Sequence, residues 1–184
     1  MLVSVGVLTI LIGLVLAMTH ILRGGAAQVR CLSNLGQIRN AFVMYVHDYR
    51  LYPDPDSLKT SPTMTWEGVL ADAGYVGRDP DIFRCPADSF SFPAINSSYD
   101  WRDTGNPATT LAGHPFNDTK RGNFALAYDV AIGFHDRGRV NVVRLEGNAL
   151  AMDQSNYFKD MVSPIRDASG TGSTGSGTVL SGGQ

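Results

Sequence analysis

The sequence predicts an α+β fold, with a long N-terminal helix (membrane-spanning, then amphipathic) packed on a small antiparallel β-sheet. Three observations predict it. The first 22 residues, MLVSVGVLTILIGLVLAMTHIL, carry no charged side chain. Residues 28–49 then repeat apolar side chains at steps of three and four, the period of one helix face. Three short segments near the other end are rich in β-branched and aromatic residues and are separated by turn signals.

The first element, residues 1–22, is long enough as a helix to cross a bilayer: at about 1.5 Å per residue it extends roughly 33 Å. Two other readings fit less well. A cleaved secretory signal begins with basic residues, which are missing here, although Gly24-Gly25-Ala26-Ala27 would serve as a cleavage region. A buried core helix shows one apolar face, whereas this run is apolar all round. The second element, residues 23–50, continues as an amphipathic helix. Its stripe runs through Cys31 or Leu32, Leu35, Ile38, Phe42, Tyr45 and Tyr49, with a bend expected at Gly24-Gly25.

Residues 51–167 form the globular α+β domain. Pro53, Pro55, Pro62, Pro80, Pro86 and Pro93 break up its first half, leaving room for a short helix over Thr65–Ala73, capped by Thr63 or Thr65. Residues 87–122 read as loops with a short strand around Ser98–Trp101. Strands follow at Phe124–Val130, Arg139–Leu145 and Ala149–Asp153. Glu146-Gly147-Asn148 makes the hairpin turn, with Gly147 at positive φ. From Ala168 to Gln184 the chain is ASGTGSTGSGTVLSGGQ, uncharged and with almost nothing to bury, which predicts a disordered tail.

Composition excludes some functions. The net charge of −2 with 17% charged residues leaves no electrostatic footprint for nucleic acid. Gly-x-Ser-x-Gly, His-Glu-x-x-His and phosphate-binding glycine loops are missing, and Ser97 or Ser98 with a distant His135 makes no triad pattern, so no catalytic residues are assigned and no enzyme is expected. The two cysteines, Cys31 and Cys85, leave two readings: a disulfide, if the domain lies outside the cytoplasm, or two free buried thiols. Arg23, Arg30, Arg39 and Arg50 all follow the apolar run and none precedes it, which by charge bias points the domain inward instead.

Several motifs occur in a telling order. Arg30-Cys31-Leu32-Ser33-Asn34-Leu35-Gly36-Gln37-Ile38 follows the apolar run. Met44-Tyr45-Val46-His47-Asp48-Tyr49 leads to Tyr52-Pro53. Phe83-Arg84-Cys85-Pro86-Ala87-Asp88 and Ser98-Tyr99 come next, and His135, Gly138, Asn141, Glu146 and Gly147 close the series. Over residues 1–153 this order resembles the type IV pilin-like proteins. The nearest likeness is to the pseudopilins with a prepilin-type N-terminal segment, of the kind common in planctomycetes and similar to the major pseudopilin of type II secretion. Glu146 stands where that family usually has Asp, and Asn148 where it usually has His.

The resemblance implies a pilin-like fold and a structural subunit of a filament, assembling through the apolar helix with copies of itself and related pseudopilins. It also implies an inner-membrane assembly platform, contact with membrane lipid, and a single-pass inner-membrane protein. Its C-terminal domain would be periplasmic or otherwise extracytoplasmic, and the assembled filament periplasmic or extracellular. Counting back by the family's spacing places the Glu of its peptidase motif just upstream of Met1. The expectation is therefore that the given sequence starts inside that motif, and a basic leader before it would remove the topology conflict. Ser4, Gly6, Thr9, Gly13 and Ala17 are the small residues that let helix backbones approach one another. The alternative is a membrane-anchored extracytoplasmic binding module that does not polymerise, with a pocket lined by the Tyr and Trp of the central loops.

No metal or other cofactor is assigned. Relatives of the resembled kind hold calcium near the strand ends, which makes Asp129, Glu146 and Asp153, close to His135, the candidate ligands. Calcium takes six to eight oxygens, often from alternate positions of one loop, and the chain contains no Asp-x-Asp-x-Asp loop. For His135 the expected role is a hydrogen bond that pins its turn onto the hairpin.

Overall fold

The computed structural model describes residues 2–55, 65–77, 80–118, 124–133, 135 and 138–165. A single helix, α1 (Leu2–Tyr49), opens the chain, and its ladder runs unbroken through Gly24 and Gly25. At 48 residues it is about 72 Å long. Its two halves have opposite environments. In the C-terminal half, Cys31, Leu35, Ile38, Ala41, Phe42, Tyr45 and Val46 are buried. The expected stripe is confirmed except at its end, where Val46 turns inward and Tyr49 is left exposed, stacked on Tyr45 at 4.4 Å. In the N-terminal half every described side chain from Ser4 to Leu16 is exposed.

Among the described residues no helix is long and apolar enough to cross a membrane. The unbroken stretch of described side chains at this end, Ser4 to Leu16, covers only about 20 Å of helix axis against a hydrocarbon core of about 30 Å.

The sheet has four antiparallel strands in the order β1 (Tyr99–Trp101), β2 (Ala125–Asp129), β3 (Arg139–Arg144) and β4 (Leu150–Asp153). Gly147 turns the β3–β4 hairpin at φ 116°, as its position in the sequence required. Of the short helices, α2 (Trp66–Asp72) is capped by Thr65, whose Oγ1 accepts from the Gly68 N–H, and α3 (Ser91–Ile95) lies within the stretch expected to be loop. A final helix, α4 (Gln154–Val162), follows β4 directly and has no counterpart in the sequence-based expectation. The expected tail, residues 168–184, lies outside the described residues.

The sheet is covered on both faces. One face packs against α1: Tyr99, Trp101, Ala127 and Val143 share a core with Leu35, Ile38 and Phe42, and Phe42 stacks between Trp66 at 5.7 Å and Trp101 at 5.3 Å. The other face packs Ala125, Tyr128, Val140 and Val142 against Tyr157 of α4. The aromatic side chains that a binding module would use to line a pocket (Tyr52, Trp66, Tyr99 and Trp101) are instead core residues.

A fully buried guanidinium fixes α4. Arg102 Nε donates to Thr109 O at 2.8 Å, Nη1 to Asp160 O at 3.0 Å, and Nη2 to Met161 O at 3.2 Å and to Ser163 O. A cation is thus placed on the carbonyls at the C-terminal end of a helix, where the helix dipole favours it. Asp160 completes the network, accepting from Arg144 Nη2 at 3.0 Å and from the Ala125 N–H at 3.1 Å. That N–H stands at the register shift between Ala125 and Ala127, where the β2–β3 ladder leaves it to another acceptor.

Two substitutions test this packing. Phe42→Ala is expected to cost about 3 to 5 kcal/mol, because a ring held between two indoles leaves a cavity that rigid neighbours cannot fill. Arg102→Met is expected to cost about 3 to 5 kcal/mol, because Asp160 and four carbonyls lose a buried donor. Urea unfolding followed by tryptophan fluorescence measures both.

Candidate functional site

The spaced motifs of the sequence meet around one disulfide. Cys31, on the buried face of α1, is bonded to Cys85 across 54 positions of chain. Of the two readings of these cysteines, the structure bears out the bridge. By loop-closure entropy such a link stabilises the fold by about 4 kcal/mol.

Neighbouring motif residues bind the same junction. Asn34 Nδ2 donates to Arg84 O at 2.9 Å, Tyr99 Oη to Cys31 O at 3.4 Å, and the Ser98 N–H to Phe83 O at 2.8 Å. Asp88, three residues after Cys85, accepts from Ser98 Oγ at 2.6 Å and from the N–H groups of Phe90, Ser91 and Phe92 at 2.7 to 2.9 Å. It does for α3 what an N-cap side chain does for longer helices, satisfying N–H groups that have no helical partner.

Three further residues enter from the sheet. Asp129 ends β2, Asn141 lies in β3, and His135 sits on the connection between these strands, all of them buried. His135 Nε2 lies 3.5 Å from Cys85 Sγ and 3.6 Å from Asp129 Oδ2, and Asp129 Oδ2 accepts from the Asn141 N–H at 2.8 Å. Asp129 Oδ1 and both atoms of the Asn141 side-chain amide are buried without a hydrogen-bond partner. Burial raises the Asp129 carboxyl to about 7, against the Asn141 N–H, which favours the charged form; nearby Asp88 adds to the rise. The result is a buried, polar corner whose Asp129 Oδ1 and Asn141 amide have no protein partner.

The signature residues expected to act together are divided by the structure. His135, Gly138 and Asn141 stand at one end of β3, with Gly138 at φ 63°. Glu146 and Gly147 stand at the other end, about 20 Å away along the strand. His135 Nε2 faces Cys85 and Asp129.

The calcium candidates are likewise apart. Glu146 is exposed and lines a groove with Arg39, Val43 and His47. Asp153 is the N-cap of α4, accepting from the Asn156 N–H at 3.0 Å and from Ser155 Oγ at 2.7 Å. Those bonds, Ser155 first, hold its carboxyl below the ordinary value. Among the described residues the group of His, Cys, Asp or Glu side chains close enough to share one ion is Cys31, Cys85 and His135, with donor atoms within 4.8 Å of one another.

The helix-packing residues lie on the exposed half of α1. Around Gly6 and Gly13 there is open space where a Cβ would stand. Thr9 Oγ1 donates back to Gly6 O at 2.9 Å and to Val5 O at 3.2 Å, which satisfies the hydroxyl without a partner outside the helix. Ser4 is exposed, and the Ala17 side chain lies outside the described residues.

Sequence reasoning placed Asp88 in a motif without its role, and missed Arg102 and Asp160. Asp88 carried a local signal, an Asp shortly before a short run of apolar residues. Arg102 and Asp160 carried none, because their partners are 58 positions apart. No protein-family model matches the chain, and neither a curated protein nor a solved structure with significant similarity to it was found.

Asp88 yields a pH prediction. Burial alone would raise its carboxyl, but the bonds from Ser98 and the three N–H groups outweigh it and hold it below the ordinary value. A carboxyl lowered in the folded state stabilises the fold above its unfolded value of about 3.9 and loses that contribution as pH falls through the folded value. Asp88→Asn is therefore expected to cost about 1 to 3 kcal/mol at neutral pH. The difference from the parent protein should shrink below about pH 4. Urea unfolding at neutral pH and in acid measures both.

Proposed function

We propose that this chain is a structural subunit of a type IV pilus-like or type II secretion filament, a pseudopilin that assembles through the N-terminal half of α1. The observation that carries this reading is the division of one continuous helix. Its C-terminal half is the core of a folded domain, while Val5, Leu8, Ile10, Leu14, Leu16 and Met18 are each more than half exposed on the other half. Solvated domains rarely expose contiguous apolar surface on this scale; such surface marks protein or membrane contacts.

In this reading the run from Met1 to Leu22 rests in the inner membrane before assembly, and the domain lies on the extracytoplasmic side. That compartment also suits the Cys31–Cys85 disulfide. On assembly the apolar halves bundle into the filament core, with copies of the chain and related pseudopilins as partners. An inner-membrane platform drives the step. Gly6 and Gly13, seven positions apart and open on their surface, supply the close approach that helix pairs use where lipid-like surroundings remove the hydrophobic drive. The motif order described above supports the same reading.

A photo-crosslinking residue placed at Ile10 in the native host tests it. The expected outcome is a ladder of crosslinked oligomers in membranes and sheared surface fractions. Gly13→Leu should thin that ladder roughly tenfold, the equivalent of about 1 to 2 kcal/mol per helix pair. Domain stability should not change, since Gly13 touches nothing in the fold. A chain that crosslinks only to lipid and stays monomeric would overturn filament assembly and favour the anchored binding module.

A further inference from the structure

We propose that Cys31 Sγ, Cys85 Sγ and His135 Nε2 form a zinc site in the protein before its disulfide is made, with a carboxylate oxygen of Asp129, 3.6 Å from His135 Nε2, moving in as the fourth ligand. Every chain leaves synthesis with both cysteines as thiols, so the reduced state is one this protein must pass through. In the fold the three Cys and His donor atoms lie within 4.8 Å of one another, and all three residues are buried. His135 Nε2 is 3.5 Å from Cys85 Sγ and 3.6 Å from Asp129 Oδ2. A tetrahedral zinc ion with its usual bond lengths spaces neighbouring nitrogen, sulfur and oxygen donors about 3.3 to 3.8 Å apart; the His135–Cys85 and His135–Asp129 separations match this, and the two sulfurs, 2.05 Å apart in the disulfide, part on reduction.

A second observation points the same way. Asp129 Oδ1 and the whole side-chain amide of Asn141 are buried at this corner with no hydrogen-bond partner. In a zinc site Asp129 contributes an oxygen, and the Asn141 N–H that already holds Oδ2 orients it, as outer hydrogen bonds commonly orient metal ligands.

The ligand set of two thiolates, an imidazole and a carboxylate suits zinc rather than calcium or magnesium. Binding zinc to two thiols releases two protons. Oxidation then removes the ligands. The two Cys thiolates are oxidised to one disulfide by a disulfide-bearing oxidant, which takes two electrons, accepts two protons and leaves as two thiols, while the zinc ion departs. The metal and the disulfide are therefore mutually exclusive on the same pair of cysteines. Zinc would hold the reduced chain in its native pairing, with α1 docked on the Cys85 loop, until oxidation makes the link permanent.

The experiment uses the full chain in detergent, reduced by a phosphine and kept without oxygen. Zinc is titrated against a colorimetric chelator, and cobalt serves as a spectroscopic stand-in. The reduced protein is expected to bind one equivalent of metal and to show a sulfur-to-cobalt charge-transfer band with tetrahedral ligand-field intensity. The oxidised protein is expected to bind none. His135→Ala and Asp129→Asn should each weaken zinc binding about 10- to 100-fold while a charge-transfer band from the two thiolates persists.

If the reduced chain loses ellipticity without metal, zinc should restore it. The proposal is overturned if the reduced protein takes up no metal, if the oxidised protein takes up as much, or if His135→Ala binds zinc as tightly as the parent. It is equally overturned if a reduced, unfolded chain is not restored by zinc.

Discussion

The structure depends on burying one stripe of α1. Seven apolar side chains between Cys31 and Val46 are covered by the sheet, α2 and the Cys85 loop, and all seven belong to the one core cluster on that face. A helix alone in water gains little from propensity, and most helical stability in proteins comes from such a packed face. The buried half of α1 is therefore a product of the domain, and the domain in turn has no core on this side without α1. The disulfide at the start of the stripe ties the helix to the most irregular part of the chain.

This mutual dependence explains the division of labour along the helix. The domain reaches no further up α1 than the region of Cys31, so the first turns are left bare although their residues are the most apolar in the protein. Their exposure is the residue of a fold that is complete without them, and it is the surface on which the proposed assembly rests. The domain side is closed by different means. On the far face of the sheet α4 is held by two tyrosines and by Arg102, whose charge is spread over three helix-end carbonyls and Asp160. Apolar area there is small, and a satisfied polar network supplies the precision that packing alone would not.

The corner formed by Asp129, His135 and Asn141 is unusual in this setting. Asp88 and Arg102 are paired, Asp88 by four donors and Arg102 by four carbonyl acceptors and Asp160, whereas single atoms of Glu67 and Arg144 are left over elsewhere among the described residues. Here a carboxylate oxygen and a whole amide are left over beside the sulfurs that fasten α1. Such capacity is costly to bury.

Much of the architecture was legible in the sequence because its signals are local. The 3.6-residue period of residues 28–49, the Thr65 cap, the glycine turn at Gly147 and the three β-rich segments each arise from neighbours a few positions apart, and each appears as an element. The uncharged run at residues 1–22 likewise declared a helix, and from Leu2 onward it lies within α1. Other features were invisible for the opposite reason. Arg102 reads as one more surface arginine until Thr109, Asp160 and Ser163 are folded around it. The helix α4 is polar in composition and is set by where β4 ends. The meeting of Cys31 and Cys85 with His135 and Asp129 joins four segments spread over about a hundred positions. Periodicity and turn chemistry act over one or two turns of chain, whereas a site is made by distances that only sheet register and helix docking define.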